Sequence, residues 1–253
     1  MSPLLRALSA EFLKMRRTIA MWMCLIAPST VVVLYVLQIS LSSFKGRAPM
    51  ESAKAWGLFT QSVMGLWCFL MLPLFITLQA ALLSGLEHRE QQWKHLLALP
   101  VPRHVHYLAK LWMLTLMVLV AFVLLCLLIP IGGWSLTFLQ PALGIVGPPQ
   151  WSYLLKISSA CYAASLLMIA LHTWIALRWR NFTVAVAIGM SATVIGFLVG
   201  QSERFGHWYP WSMPMQVIAG KGQYIDFVVT AGIVGGVIVA TLGLFEYLSR
   251  EVS

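Results

Sequence analysis

The stretch LWMLTLMVLVAFVLLCLLIPI occupies residues 111–131 and contains no charged side chain. A membrane-spanning helix needs about 20 consecutive apolar residues, because each residue adds about 1.5 Å and the hydrocarbon core is about 30 Å thick. This stretch is long enough to cross that core. It therefore predicts a transmembrane helix.

Five further apolar segments lie on either side of it, at residues 19–41, 59–83, 153–177, 182–200 and 225–245. In the 253 residues, hydrophobic side chains make up 60% and charged ones 10%, and the mean hydropathy is +0.83. Soluble domains carry about 25% charged residues, so this composition excludes one. We predict an all-α membrane protein, a single transmembrane domain of six helices over residues 1–253, with little chain left for a soluble catalytic domain.

The basic residues indicate the orientation of these helices. The chain has 17 Lys and Arg against 8 Asp and Glu, a formal net charge of +9. If the N-terminus is cytoplasmic, eleven of the 17 fall inside and five outside, and Lys156 lies at a boundary. Cytoplasmic loops are enriched in Lys and Arg, so we predict a multi-pass protein of the inner (plasma) membrane with both termini cytoplasmic. The charge then serves topology, and no nucleic-acid partner is expected.

Residues 1–18 precede the first apolar segment and are predicted to form an interfacial helix. Ser2 can cap it, with Pro3 in its first turn. An apolar stripe recurs with helical spacing at Leu4, Leu5, Leu8, Phe12, Met15 and Ile19. Most of the basic residues, Arg6, Lys14, Arg16 and Arg17, lie off this stripe, where they can meet anionic headgroups of membrane lipid. The alternative is a short frayed basic tail.

The segment at residues 85–105 separates the second and third apolar segments and reads EHREQQWKHLLALPVPRHVHYLAK from Glu87 to Lys110. Glu90 and Lys94 have the favourable i,i+4 order, and Pro100 ends the helix at the preceding residue. One helical face is apolar, formed by Leu86, Trp93, Leu96 and Leu97. This pattern predicts a short amphipathic cytoplasmic helix. The alternative is a charged loop whose tryptophan lies at the interface.

Two connections on the other side of the membrane have no such pattern. Residues 132–150 carry no charge, and the GGWSL and GPPQW sequences predict a non-helical external connection. Residues 201–224 combine aromatic side chains with Pro210 and Pro214, which predicts short helices or turns in a re-entrant or interfacial external segment. The alternative for this second segment is an aromatic belt with no part in transport.

Catalytic and metal-binding patterns are absent from the sequence. The eight acidic residues lie at segment ends or in loops, and there is neither an HExxH nor a GxxxxGK[ST] sequence. We therefore expect no catalytic residues, no metal site and no nucleotide site in this chain. His172 and Ser191 are interpreted as polar residues satisfied within the bundle, and Cys24, Cys68, Cys126 and Cys161 as packing residues. Two GxxxG pairs, Gly196 with Gly200 and Gly232 with Gly236, permit close helix approach, most simply within the chain.

Two motifs resemble the permease subunit of type-2 ABC exporters. The stretch AEFLKMRRTIAMWMCLIAPS is similar to the first helix of that family, with Glu11, Lys14 and Pro28. The stretch that begins at Glu87 is similar to its coupling helix, and the order of six spans also agrees. Within the family, the chain looks most like the stand-alone permeases of the lantibiotic-immunity and multidrug branch. Gln91 and Gln92 stand where a glycine-rich stretch is usual.

The resemblance implies a permease that works with a separate ATP-binding cassette ATPase, which would bind ATP and Mg, and with a second permease, identical or homologous. It implies no cofactor in this chain. The residues expected to couple to the ATPase are Glu87, Glu90, Trp93, Lys94, Leu97, Pro100 and Arg103. We expect an apolar path for a hydrophobic or amphipathic substrate (a peptide antibiotic, drug or lipid) near Gly196 and Gly200, at the interface between two permeases.

Two other functions stay open at this point. An ion-coupled small-molecule transporter would need a charged residue within the bilayer, where the sequence offers only weaker polar candidates such as Gln38, Gln79 and His172. A membrane assembly protein without transport activity would not need the segment at residues 85–105.

Overall fold

The computed structural model describes residues 3–16, 18–42, 49–89, 102–179, 181–219 and 222–249, with side chains up to residue 85 in the third of these ranges. Within them the chain is helical and has no strand. Six of the described helices are long and apolar enough to cross a membrane. The prediction of an all-α membrane protein with six transmembrane helices is confirmed.

The first and fifth spans have the predicted bounds, and the other four extend beyond them. The second span consists of α3, a π-helical turn and the first part of α4. In chain order, the elements are α1 Pro3–Met15, α2 Ile19–Leu41, α3 Ser52–Leu66, the π turn Trp67–Met71, α4 Leu72–Arg89, α5 Arg103–Leu139, a 3₁₀ turn Pro141–Leu143, α6 Trp151–Arg178, α7 Phe182–Gly200, α8 Met213–Ala219 and α9 Ile225–Ser249.

Successive spans run in opposite directions, so their ends and the connections between them lie at two ends of the bundle. We call the end that holds α1, Arg89 and Arg103 the coupling side, and the opposite end the far side. The coupling side also holds the end of α6 and the end of α9, which are joined by an ion pair between Arg178 and Glu246. On the far side, the Gln140 side chain donates to the Ser42 carbonyl at 2.8 Å.

The second span is the most buried of the six, and α5 and α6 pack around it. α2 packs on α5, α7 packs on α4, and α9 packs on α6. The outward faces of α2, α7 and α9 are apolar, as a lipid-facing surface requires. The four cysteines are free, and three of them are buried among these contacts, as expected of packing residues.

The prediction of a non-helical connection over residues 132–150 was wrong for its first part, because α5 continues to Leu139. Gly132 and Gly133 do not break the helix, since both are buried in it and face neighbouring helices. A Cβ at Gly133 would lie 2.2 Å from the Trp56 ring, and one at Gly132 would lie 2.7 Å from Val32. These glycines mark a close contact between helices. The connection itself begins at Gln140.

A π-helical turn interrupts the second span at Trp67–Met71. Pro73 lies two residues after it and has no backbone N–H with which to bond the Phe69 carbonyl. A wider turn relieves the clash that a proline makes with the carbonyl four residues earlier. The π turn also directs Phe69 to α7, where its ring lies 5.0 Å from that of Phe197, edge to face.

We expect Gly133→Ala to destabilise the protein, because the added methyl group meets the fully buried Trp56 ring. Overpacking costs about 1–3 kcal/mol in soluble cores, and the apparent unfolding temperature in detergent should fall accordingly. The matched control is Gly65→Ala, where nothing lies within 4 Å of the added atom. Trp56→Phe should restore part of the loss. Equal stability of the Gly133 and Gly65 variants would contradict the proposed contact.

Candidate functional site

The predicted coupling residues fall at the junction between α4 and α5. Glu87 lies in the last turn of α4, and Arg103 is the first residue of α5 and is exposed. The other five, Glu90, Trp93, Lys94, Leu97 and Pro100, lie outside the described residues. The structure therefore describes the end of α4 and the start of α5, which we call the base of the coupling segment (residues 85–105).

A buried lysine joins the two helices at that base. Lys110 of α5 is only 1% exposed, and its ammonium donates to the Leu83 carbonyl of α4 at 2.9 Å. A charge is tolerated in such a position only when charged or polar groups surround it. Lys110 therefore fixes α4 against α5 shortly before the first helix ends and shortly after the second begins.

Helix α1 supplies the counter-charge. Glu11 is 4% exposed, and its carboxylate lies 3.8 Å from the Lys110 ammonium and 2.9 Å from that of Lys14. α1 packs along α5 through this side, which also buries Met15. The sequence identified both Glu11 and Lys110 within motifs but did not predict that they meet. Their separation by 99 positions leaves no periodic signal in the sequence.

The apolar stripe predicted for α1 is divided in the structure. Met15 is fully buried, whereas Leu5 and Phe12 are 51% and 41% exposed. The reason is that Glu11, and not an apolar residue, occupies the centre of the face that meets α5. The exposed residues lie on the other side, where they can meet lipid, so an interfacial position for α1 stays a prediction.

A second ionic cluster joins the coupling-side ends of α6 and α9. Glu246 forms an ion pair with Arg178 and accepts a hydrogen bond from the Trp174 indole. Beside it, a Cβ at Gly243 would lie 2.5 Å from the Tyr107 hydroxyl of α5, so three helices meet there. This pair was not predicted from the sequence. The sequence contains one signal for it, because two spans that are predicted to end on the same side of the membrane end with side chains of opposite charge.

A cavity of about 650 Å³ lies in the far-side half of the bundle, between α2, the second span and α7. The segment that follows α7 closes it from another direction. Its walls are mainly apolar and aromatic, with polar side chains at Gln61, Ser62, Gln201 and Ser212. The remaining lining residues are Tyr35, Gly65, Leu66, Phe69, Gly196, Gly200, Trp211, Met215, Ile218 and Ala219.

Gly196 and Gly200 line this cavity and face their own chain. A Cβ at Gly196 would lie 3.0 Å from Trp211 Cβ, and one at Gly200 would lie 3.3 Å from Ser212 Cβ. Intrachain packing, the simpler interpretation, accounts for both glycines. It also accounts for Gly232 and Gly236, which bring α9 against the backbone of α6.

The predicted external segment at residues 201–224 folds back onto the bundle. The Tyr209 hydroxyl donates to the Ala192 carbonyl at 3.0 Å, and Gln216 donates to the Gly200 carbonyl at 2.9 Å. α8 buries Pro214 and Val217 in the bundle. In the same segment, the His207 ring stacks on Tyr224 at 4.3 Å. Trp211 is one of the residues of this segment that line the cavity.

The polar candidates of the spans occupy different environments. His172 is 1% exposed, and its Nε2 accepts the Trp211 indole N–H at 3.1 Å. Gln79 is fully buried and donates to the Ala20 carbonyl at 2.8 Å. Gln38 and Ser191 are exposed, so Ser191 is not a nucleophile served by His172. Among the described residues, no cluster of His, Cys, Asp or Glu could hold a metal ion.

Comparison with known families supplies an independent observation on the same architecture. Residues 7–196 match the family described as ABC-2 family transporter protein. The match begins within α1, includes the base of the coupling segment and ends at Gly196 of the cavity wall, so it covers well over half of the chain. The chain belongs to the ABC-2 family of transporter proteins. No curated protein and no solved structure matches it significantly.

Membership of the ABC-2 family confirms that the chain is a membrane transport protein of the ABC-2 permease type. It also agrees with a non-catalytic membrane subunit. The buried ion pair, the ionic cluster and the cavity are therefore features of a permease. The ion pair lies where the coupling segment departs, the ionic cluster lies at the coupling-side ends of α6 and α9, and the cavity lies on the far side.

We expect Glu11→Gln and Lys110→Met each to lower the unfolding free energy of the permease by about 3 kcal/mol. This is the low end of the cost of breaking a buried ion pair, because Lys14 or the Leu83 carbonyl still contacts the remaining charge. The double variant should lose less than the sum of the two. Thermal unfolding in detergent measures the effect, with the exposed Lys156→Met as control. Strictly additive losses would show that the two residues do not interact.

Proposed function

We propose that the chain is the transmembrane permease subunit of an ATP-binding cassette exporter, which moves a hydrophobic or amphipathic substrate with ATP hydrolysed by a separate subunit. The observation that carries this proposal is the ABC-2 family match, which extends from α1 through the coupling segment to the cavity wall. ATP and Mg belong to the partner. This chain contributes the path and the docking segment.

The coupling-side geometry supports a mechanical role for residues 85–105. The segment connects α4 and α5, which Lys110 joins, and Glu11 attaches α1 to the same point. A force applied to the segment is therefore applied to three helices together. An amphipathic helix in a groove of the ATPase is one of the ordinary modes of peptide recognition. Glu87, Glu90, Trp93, Lys94, Leu97, Pro100 and Arg103 are the proposed contacts.

The cavity supports the substrate class. Its volume lies within the roughly 300–1,000 Å³ of ligand pockets, and such sites are mainly apolar with a few polar groups. Leu66, Phe69 and Trp211 give an apolar and aromatic wall, and four other lining residues, Gln61, Ser62, Gln201 and Ser212, are polar. A peptide antibiotic, drug or lipid suits this surface better than a sugar or an ion. We propose, on the motif resemblance, that the chain belongs with the lantibiotic-immunity and multidrug permeases, and the apolar cavity supports this proposal.

The proposed complex contains a second permease, identical or homologous, against α7. The inward face of α7 is occupied by its own chain at Gly196 and Gly200. The outward face is apolar, and Val194 and Leu198 on it are 62% and 65% exposed. The structure thus moves the proposed contact from the two glycines to the opposite side of the same helix. Both termini are cytoplasmic in this arrangement, as the basic residues indicate.

We expect Glu90→Lys and Leu97→Asp to uncouple ATP hydrolysis from transport, because one reverses a charge and the other removes an apolar contact of the docking helix. The permease should still insert into the membrane. The measurement is substrate-stimulated ATPase activity and transport by the complex copurified from its native membrane and reconstituted.

The control is Glu51→Lys, which makes the same charge change at an exposed far-side position. Stimulation should survive in this variant. If both segment variants kept normal stimulation and transport, the docking assignment would be wrong. An ATPase bound to the segment also tests the orientation, because ATP is supplied from the cytoplasm.

For the second permease, we expect single cysteines at Val194 and Leu198 to form disulfide-linked permease dimers in a cysteine-free background. A cysteine at Gly196 should not, since that position faces Trp211 of its own chain. Non-reducing electrophoresis after mild oxidation measures the product. Absence of dimers at both exposed positions, in a complex shown to contain two identical copies, would remove α7 from the interface.

A further inference from the structure

The Trp211 side chain is a wall of the cavity that is held from behind by a buried histidine. Its indole N–H donates to Nε2 of His172 at 3.1 Å, and the two rings meet edge to face with centroids 5.5 Å apart. The indole nitrogen thus bonds to the core. The carbon face of the ring is left to line the cavity.

This hydrogen bond fixes the chemical form of His172. A nitrogen that accepts the indole proton must carry a free lone pair, so the proton of the neutral ring is on Nδ1. Thr77 Oγ1 lies 3.4 Å from the same Nε2, but its hydroxyl already donates to the Pro73 carbonyl at 2.8 Å. Trp211 is therefore the donor that satisfies Nε2.

Helix α7 lies directly over this pair. A Cβ at Gly189 would lie 2.7 Å from the His172 ring, and one at Gly196 would lie 3.0 Å from Trp211. The two glycines are seven residues apart, so they share one face of the helix. The close approach of α7 is to the Cβ of Trp211, so α7 fixes the base of this side chain and the bond to His172 fixes its indole end.

The cavity has a polar and an apolar end. Gln201 follows the last residue of α7, and Gln61 lies in the far-side half of the second span. Phe69 lies eight residues beyond Gln61, which is about 12 Å deeper along a helix. Leu66 and Trp211 belong to the apolar walls, as do Met215, Ile218 and Ala219. A molecule with one polar end and one apolar chain matches this order, with its chain inserted first.

We propose that His172 is a positioning residue of this cavity: as the Nδ1–H tautomer it holds Trp211 as the wall that receives the apolar part of a single-chain amphipath. This proposal rests on the proposed function, because it concerns the substrate path of the permease. It adds the residue that shapes the path and the direction in which the ligand enters. His172 itself does not touch the ligand.

The test uses the full-length permease in phospholipid nanodiscs and two lysophosphatidylcholine probes with a photoreactive diazirine, one at the chain end and one near the headgroup. The first should label the peptide around Leu66 and Phe69, and the second should label around Gln61 or Gln201. Labelling by neither probe above background would overturn the site. A photoreactive residue at Tyr35 that instead captures the second permease would show that protein fills the cavity, which also overturns it.

Four variants separate positioning from general packing. His172→Leu should raise the half-saturating concentration of the chain-end probe about 2- to 10-fold, the effect expected for one net hydrogen bond. His172→Gln, which can still accept the indole proton, should restore most of the binding. Trp211→Phe should weaken binding to the same extent, and the double variant with His172→Leu should lose no more than either single one.

The control is Gln79→Leu, which removes another buried polar side chain of the spans and should leave labelling unchanged. Wild-type labelling in His172→Leu, equal losses in His172→Leu and His172→Gln, or additive losses in the double variant would each overturn the positioning role. Probe binding needs no ATPase. If the permease couples ATP hydrolysis to transport but binds no probe, only this inference is wrong. If it binds the probe but never couples ATP hydrolysis to transport, only the proposed function is wrong.

Discussion

The fold depends on close helix approach in a solvent that does not drive helices together. Lipid tails are as apolar as leucine, so association relies on van der Waals contact and on interhelical hydrogen bonds. Glycines lie at several of the tightest contacts. Gly232 and Gly236 bring α9 onto the α6 backbone, Gly133 receives Trp56, and Gly189 receives Thr77 and His172. A side chain at any of these positions would separate the helices that it joins.

The polar groups inside the bundle follow the same constraint. Three of them have a partner in another helix or segment, because an unsatisfied polar group in hydrocarbon is costly. Lys110 donates to the Leu83 carbonyl, Gln79 donates to the Ala20 carbonyl, and His172 accepts from Trp211. These bonds link α5 to α4, α4 to α2, and α6 to the segment that follows α7. They fix which helices are neighbours as well as how closely they approach.

The sequence was sufficient for the spans and insufficient for their contacts. Length and hydropathy are local properties, so six helices and the bounds of α2 and α7 could be predicted from apolar runs. Gly132 and Gly133 led to a wrong connection, because a glycine pair is equally typical of a turn and of a helix that another side chain touches. Only the position of Trp56, which lies 77 residues before Gly133, distinguishes the turn from the helix contact.

The candidate site shows the same division. The amphipathic pattern and the family motif of residues 85–105 are visible in a short window, so the coupling segment could be proposed from sequence. The partner of Lys110, the pairing of Arg178 with Glu246, and the bond between His172 and Trp211 join residues from different spans. Charge alone could suggest the second of these. Nothing in one sequence indicates that an indole and an imidazole from distant segments meet behind a cavity.

Helix α4 contacts both the coupling base and His172, which lies behind the wall of the cavity. Leu83 accepts the hydrogen bond from Lys110, and Thr77, six residues earlier and about 9 Å along the axis, contacts His172 and the α7 glycine Gly189. The helix is regular from Leu72 to Arg89, and the π turn begins just before it. A displacement at the coupling segment therefore moves Leu83 and Thr77 together. Thr77 packs against His172, which holds Trp211, so a shift of α4 in the proposed transport cycle acts on the cavity wall through contacts already present in the structure.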